Sequence, residues 1–248
     1  MSLVTWITVR ELIHERVLYL LLSFAVGLIY LAILVGQMTY AEQAKLTMDF
    51  TLAAMECSMI LFSIFMGIHL LHREIVLGTV AMILSKPIRR TEFLLGKYLG
   101  QCLVQWGVVT LMGLMAALLS LRFKSTIYFF PTLQTAFMIG LETMILTSIV
   151  FFFAVNAGIL LTAIGSVCIF VLGHLQEAFP SRGSSGALMK IVKGLVPNLD
   201  LFNTKSLASY GVMCDEKVVF WAVTYTFICV IFFLIGAILI FNRKDILT

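Results

Sequence analysis

Residues 125–176 read STIYFFPTLQTAFMIGLETMILTSIVFFFAVNAGILLTAIGSVCIFVLGHLQ and carry one charged residue, Glu142, in 52 positions. The hydrocarbon core of a bilayer takes about 20 apolar residues per helix. A single helix of this length would run to about 78 Å at about 1.5 Å per residue. Two spans, 132–155 and 158–177, joined by a tight turn at Asn156-Ala157-Gly158, fit instead. Read outward, the same criterion predicts spans at 17–37, 50–72, 93–121 and 218–241, the second started near Phe50 so that it encloses Glu56. The fold class is an all-α polytopic membrane protein, one transmembrane domain over residues 1–248 with six transmembrane helices and both termini on one side.

Composition agrees. The chain is 61% hydrophobic and 12% charged, with mean hydropathy +1.05. A globular domain is roughly 45–50% apolar and about 25% charged. Too few polar residues remain to cover a soluble surface, which excludes a soluble enzyme, a disordered chain and a nucleic-acid-binding domain. Unbroken apolar runs exclude a membrane β-barrel, which alternates over segments of about ten residues. The balance of 17 basic to 13 acidic residues is too mild for a polyanion partner. Five scattered cysteines form no CxxC pair. The first apolar run is too long for a signal-peptide core and no A-x-A site follows it, so it reads as the first span. With the N-terminus inside, inside segments carry nine Lys and Arg and outside segments eight. The compact basic cluster Lys86–Lys97 and the arginines before the first span favour that orientation, with cytoplasmic termini.

Three segments outside the spans have pattern. In residues 1–16, Leu3, Trp6, Ile7, Ile13 and Val17 share one helical side, as in a helix lying in the interface. Leu188, Ile191, Val192 and Leu195 stand at i, i+3, i+4, i+7 and predict a short extracytoplasmic interfacial helix in the loop 177–217. Between spans two and three, Val76, Val80, Ile83 and Leu84 follow helical spacing. Pro87 stops that helix, and Thr91 can cap the next one with Glu92 in its first turn. From the residues alone this loop is either a topology anchor or a docking surface for a soluble partner.

Residues 73–100 also carry a motif: Glu74, Gly78-Thr79, Leu84-Ser85, Pro87-Ile88, Arg90 and Leu95-Gly96-Lys97. This resembles the hallmark of type-2 (ABC-2 type) ABC transporter permeases. The pair Arg10-Glu11, the stretch Pro197-Asn198-Leu199 and the tail Asn242–Asp245 extend the resemblance over most of the chain. Within the family it is most similar to the subgroup associated with multicopper enzyme maturation. The resemblance implies that 74–86 is a cytoplasmic coupling helix seated on a separate ATP-binding subunit. Glu74, Gly78, Thr79, Ser85, Pro87, Arg89, Arg90 and Lys97 would then be the ATPase-coupling residues. It also implies two ATPase chains, a second permease chain and a bacterial cytoplasmic (inner) membrane.

The chain is not expected to be an enzyme. Its one Gly-Lys pair, Gly96-Lys97, lacks the remaining P-loop positions, where Thr91 and Tyr98 stand. No cofactor is expected in this chain; ATP and Mg²⁺ belong to the partner ATPase. A non-transporting scaffold that passes force to an extracytoplasmic partner needs the same loop and stays open beside transport. An intramembrane hydrolase would need a buried nucleophile and base, and none is evident.

Glu56 and Glu142 fall inside spans, where a charge costs about 2.5–3.5 kcal/mol on insertion scales. Each is either part of a substrate path or gate, or a carboxylate bonded to a neighbouring helix. Gln101, Gln105 and Asn156 are the other polar path candidates; Gln101 and Gln105 share a face that fits a lined cavity or a hydrogen-bonded seam. No catalytic or metal-ligating set is assigned. His69 and His72 at i, i+3 lack further ligands, and Met55, Met59 and Met66 suit packing better than Cu(I). Gly183-Ser184-Ser185-Gly186 resembles the GxSG motif of rhomboid proteases, but it sits in a Gly/Ser-rich loop after His174 and reads as that loop. Ala154, Gly158, Thr162 and Ser166 form a small-residue stripe that reads as a packing seam inside the chain.

Overall fold

The computed structural model describes residues 2–37, 43–76, 90–121, 126–176 and 196–243. The described residues are helical or irregular and contain no strand. In a bilayer every backbone N–H and C=O of a span must be paired within the segment, so apolar runs of this length fold as helices. The eight α-helices among the described residues are α1 (Ser2–His14), α2 (Arg16–Gln37), α3 (Gln43–Val76), α4 (Arg90–Leu121), α5 (Phe129–Asn156), α6 (Ile159–His174), α7 (Lys205–Ser209) and α8 (Glu216–Arg243).

Helix α5 is the centre of the bundle: 83% of its apolar window is buried, against 28% for α2 and for α8. Helices α3, α4, α6 and α8 surround it. Helices α2 and α3 form an antiparallel hairpin. At one end a Cβ on Gly36 would stand 1.9 Å from Thr47 Oγ1, so only glycine allows that approach. At the other, Glu15 meets His69 at 3.0 Å. Helix α1 lies along the start of α4, where Gly96 and Gly100 leave room for Val4 and Thr8. Trp6 and Ile7 face outward and are exposed. The turn between α5 and α6 is where the sequence puts it. Asn156 ends α5, Ala157 is extended, and Gly158 precedes the first turn of α6.

Three expectations are sharpened. Helix α3 begins at Gln43, not near Phe50, so Glu56 is its fourteenth residue and lies well inside the helix. The polar residues Gln43–Asp49 masked that first stretch in a hydropathy reading. Second, five helices among the described residues are long and apolar enough to cross a bilayer, and a sixth apolar helix is shorter. The shorter one is α6, 16 residues or about 24 Å. It runs back along α5 from Asn156 and ends at His174, level with Glu142, the midpoint of α5. Third, the connection 177–217 is not all surface loop. Residues 199–209 pack between α3 and α5, with Leu199, Phe202, Thr204, Ala208 and Ser209 buried.

That connection is tied down by side chains. Gln134 holds Cys214 by two hydrogen bonds, its Nε2 donating to the carbonyl at 3.0 Å and its Oε1 accepting from the amide at 2.8 Å. Thr204 and Thr135 hydroxyls meet at 3.1 Å, and Lys45 Nζ donates to the Tyr210 hydroxyl at 2.7 Å. Gly211 takes φ +72°, a left-handed turn beside Ile127 that favours glycine. The predicted interfacial helix at 188–195 and most of the predicted coupling helix at 74–86 lie outside the described residues.

Candidate functional site

Four titratable side chains converge on one point in the middle of the bundle. Glu56 comes from α3, Glu142 from α5, His174 from the last residue of α6, and Lys205 from the first residue of α7. His174 Nε2 stands 3.3 Å from Glu142 Oε1 and 3.6 Å from Glu56 Oε1. The Lys205 ammonium contacts the other oxygen of Glu56. Glu142 is only 1% exposed and Glu56 7%. Asp200, in the turn before α7, lies within electrostatic reach of Glu142. Charges this deep persist only when paired or ligated, and four elements far apart in sequence supply these.

The end of α6 explains how the site is built. A helix that stops inside a protein leaves carbonyls without intrahelical partners. Here Gly173 O accepts the amide of Leu199 at 3.3 Å, and Val196 O accepts from Gln176 Nε2 at 2.6 Å. Gly173 has no side chain, and Leu199 and Pro197 O fill the space where a Cβ would be. This docks the 196–204 segment onto the break and delivers Asp200 and Lys205 to the carboxylates. Asn198 steadies the turn, its amide donating to the Tyr225 hydroxyl and its Oδ1 accepting from the Asp200 amide.

A second polar layer lies between α3, α4 and α5. Gln101 Nε2 donates to Ser63 O at 3.1 Å, and Gln105 Nε2 to Ser63 Oγ at 3.0 Å. Thr147 Oγ1 donates to Gln105 Oε1 at 2.9 Å and stands 3.0 Å from Ser63 Oγ. Gln101 and Gln105 are buried. Of the two readings open for this pair, the geometry is a hydrogen-bonded seam between helices. Asn156 is exposed in the α5–α6 turn and joins neither layer.

Of the residues assigned to ATPase coupling, Gly78, Thr79, Ser85, Pro87 and Arg89 lie outside the described residues. Glu74 falls in the last turn of α3 and Arg90 opens α4. Lys97 is buried, and its Nζ donates to Glu11 at 2.9 Å, which braces α1 against α4. Met55, Met59 and Met66 are fully buried in one apolar cluster with α2 and α4. His69 pairs with Glu15. The stripe that begins at Ala154 is buried at Ala154, Thr162 and Ser166, while Gly158 is exposed at the turn.

Sequence reasoning found Glu56 and Glu142 but missed His174 and Lys205 as their partners. One signal was present: a histidine closing an apolar run, with no aqueous neighbour in sequence. Lys205 gave none, because it stands in a polar stretch that reads as loop.

The comparisons add one identification. The family described as "ABC-2 family transporter protein" matches residues 4–171, a stretch that takes in α1 to α6 and the 73–97 segment. No curated protein matches the chain.

Proposed function

This chain belongs to the ABC-2 family of transporter proteins, and from that premise we propose that it is the permease of an ATP-driven exporter, moved by a separate ATPase through residues 73–97. Members of this family are generally non-catalytic permease subunits that pair with ABC ATP-binding subunits, which supports this reading. The observation that carries the coupling reading is the motif from Glu74 through Lys97, inside the matched region and between two long helices that meet on one side of the bundle. A push on that loop reaches α3 directly, and α3 carries Glu56 into the buried charge centre.

In this reading two ATPase chains act on two permease chains. The N-terminus and the 74–86 helix are cytoplasmic, α6 with its continuation makes the sixth crossing, and the membrane is a bacterial inner membrane. The buried centre is then the element that the stroke rearranges, since its four side chains sit on α3, α5, α6 and the 196–209 segment. Copper handling forms no part of the proposal. The family description does not reach the multicopper subgroup, and the methionines that could have favoured it are packing residues.

The test is a pull-down from mild detergent with a tag on this chain, comparing wild type with Glu74→Ala/Arg90→Ala. An ATP-binding subunit that co-purifies with wild type and is lost from the double variant supports the coupling reading. A wild-type chain that brings down no ATPase under gentle extraction overturns it.

A further inference from the structure

We propose that Glu56, Glu142 and His174 form a binding site for one divalent first-row transition-metal cation, of the Zn²⁺ class, at mid-depth in the bundle. Each residue offers one ligand atom, and the three atoms lie within 4.8 Å of one another. For metal–ligand bonds of about 2.0–2.1 Å at tetrahedral angles, ligand atoms stand roughly 3.3 Å apart. The separations of 3.3 Å and 3.6 Å from His174 Nε2 to the two carboxylates match that spacing.

The imidazole is also oriented as a ligand. His174 Nδ1 lies 3.4 Å from Phe170 O. A carbonyl oxygen only accepts, so Nδ1 carries a proton and Nε2 is the ring nitrogen that faces the carboxylates, the atom a metal would take from the neutral ring. A backbone carbonyl fixing the far nitrogen is the usual second partner of a metal-binding histidine. Neither His174 Nε2 nor Glu142 Oε1 makes a hydrogen bond, although both atoms are buried. A cation between them would satisfy both atoms.

Charge and position agree. Three carboxyl groups, Glu56, Glu142 and Asp200, gather around one ammonium, Lys205, so the group favours an added cation. The C-terminal end of α6 points into the site, and a helix C-terminus favours positive charge. Broken helices that end at mid-membrane place cations in this way. One nitrogen and two carboxylate oxygens suit Zn²⁺, Co²⁺, Fe²⁺ or Mn²⁺ and not Cu(I), which takes soft sulfur. Lys205 holds Oε2 of Glu56, which leaves Oε1, the oxygen nearer His174, for the metal.

The experiment uses the full chain in lipid nanodiscs, stripped with EDTA and titrated with Zn²⁺ by calorimetry and with Co²⁺ by visible absorption. One Zn²⁺ per chain is expected, with the visible bands of four- or five-coordinate Co²⁺. Glu142→Gln and His174→Gln are each expected to weaken Zn²⁺ binding by more than the roughly 10–100-fold that loss of an outer hydrogen-bond partner costs. His69→Gln is expected to bind as wild type does. Wild type that stays monodisperse yet takes up no stoichiometric metal overturns the proposal. So does binding that survives both substitutions. Where a variant fails to fold, the wild-type Co²⁺ complex decides: hyperfine coupling to one imidazole nitrogen supports the site, and its absence overturns it.

Discussion

Lys205 and Glu56 are 149 positions apart in sequence and in direct contact inside the bundle. That contact joins the 196–209 segment to α3, the helix that ends at the proposed coupling loop. The four charged residues at the centre each belong to a different element, so no two of them can separate without moving a helix or the docked segment.

Removing one partner of a buried ion pair leaves the other uncompensated and costs about 3–5 kcal/mol. Lys205→Met is therefore expected to lower the detergent melting temperature sharply, and Glu56→Gln to lower it less because a neutral amide still bonds. The double variant Glu56→Gln/Lys205→Met is expected to lie well above the sum of the two losses. Thermal unfolding followed by fluorescence size exclusion checks this, and strict additivity would contradict the pairing.

The polar seam behaves differently. Hydrogen bonds between membrane helices average about 0.6 kcal/mol and reach about 1.7. Gln105→Leu removes the bonds to Ser63 and Thr147 and is expected to cost about 1–2 kcal/mol, a milder loss than Lys205→Met. Substituting the glutamine is also expected to leave ATPase co-purification intact. Loss of partner binding with unchanged stability would show that the glutamines belong to the transport path after all.

How much of this was legible follows from the residue types. Hydropathy reads side chains against lipid, so α2, α4, α5 and α8 emerged within a few residues of their ends. Asn156-Ala157-Gly158 broke the 52-residue run because a helix cannot hold that turn chemistry cheaply. The start of α3 was lost because Gln43, Lys45 and Asp49 read as loop, although Lys45 is held by Tyr210. Helix α6 read as a full span because Leu175 and Gln176 look like its continuation. Its actual end is set by docking: Leu199 takes the carbonyl of Gly173. Tertiary contacts of this kind have no local signal. The centre was half legible for the same reason. A carboxylate inside a span announces itself, whereas Lys205 in a polar stretch does not.

The packing of α1 gives the next expectation. A Cβ on Gly100 would stand 2.6 Å from Thr8 Cβ and 3.1 Å from Thr5 O, and the backbone atom cannot swing aside. Overpacking of this kind typically costs about 1–3 kcal/mol. Gly100→Ala is expected to destabilise the chain by that amount and to loosen α1. The check is faster proteolysis within residues 2–14 than in wild type, at equal expression. An unchanged digestion pattern would mean that α1 is held elsewhere.

Lys97 and Glu11 complete that contact and separate bracing from coupling. The pair is largely buried, with Nζ 2.9 Å from Glu11 Oε2. Lys97→Met removes the ammonium that ties Glu11 of α1 to α4 and is expected to lower the melting temperature. Lys97→Arg keeps the charge and is expected to recover part of the loss. Neither substitution is expected to release the ATPase as Glu74→Ala/Arg90→Ala does, because the lysine points into this chain. Melting curves and the pull-down are run on the same samples. If Lys97→Met keeps its stability and loses the ATPase, the lysine belongs to the docking surface and the brace is incidental. If stability falls and the ATPase stays, α1 is held on α4 by this pair, and Lys97 lies outside the docking surface.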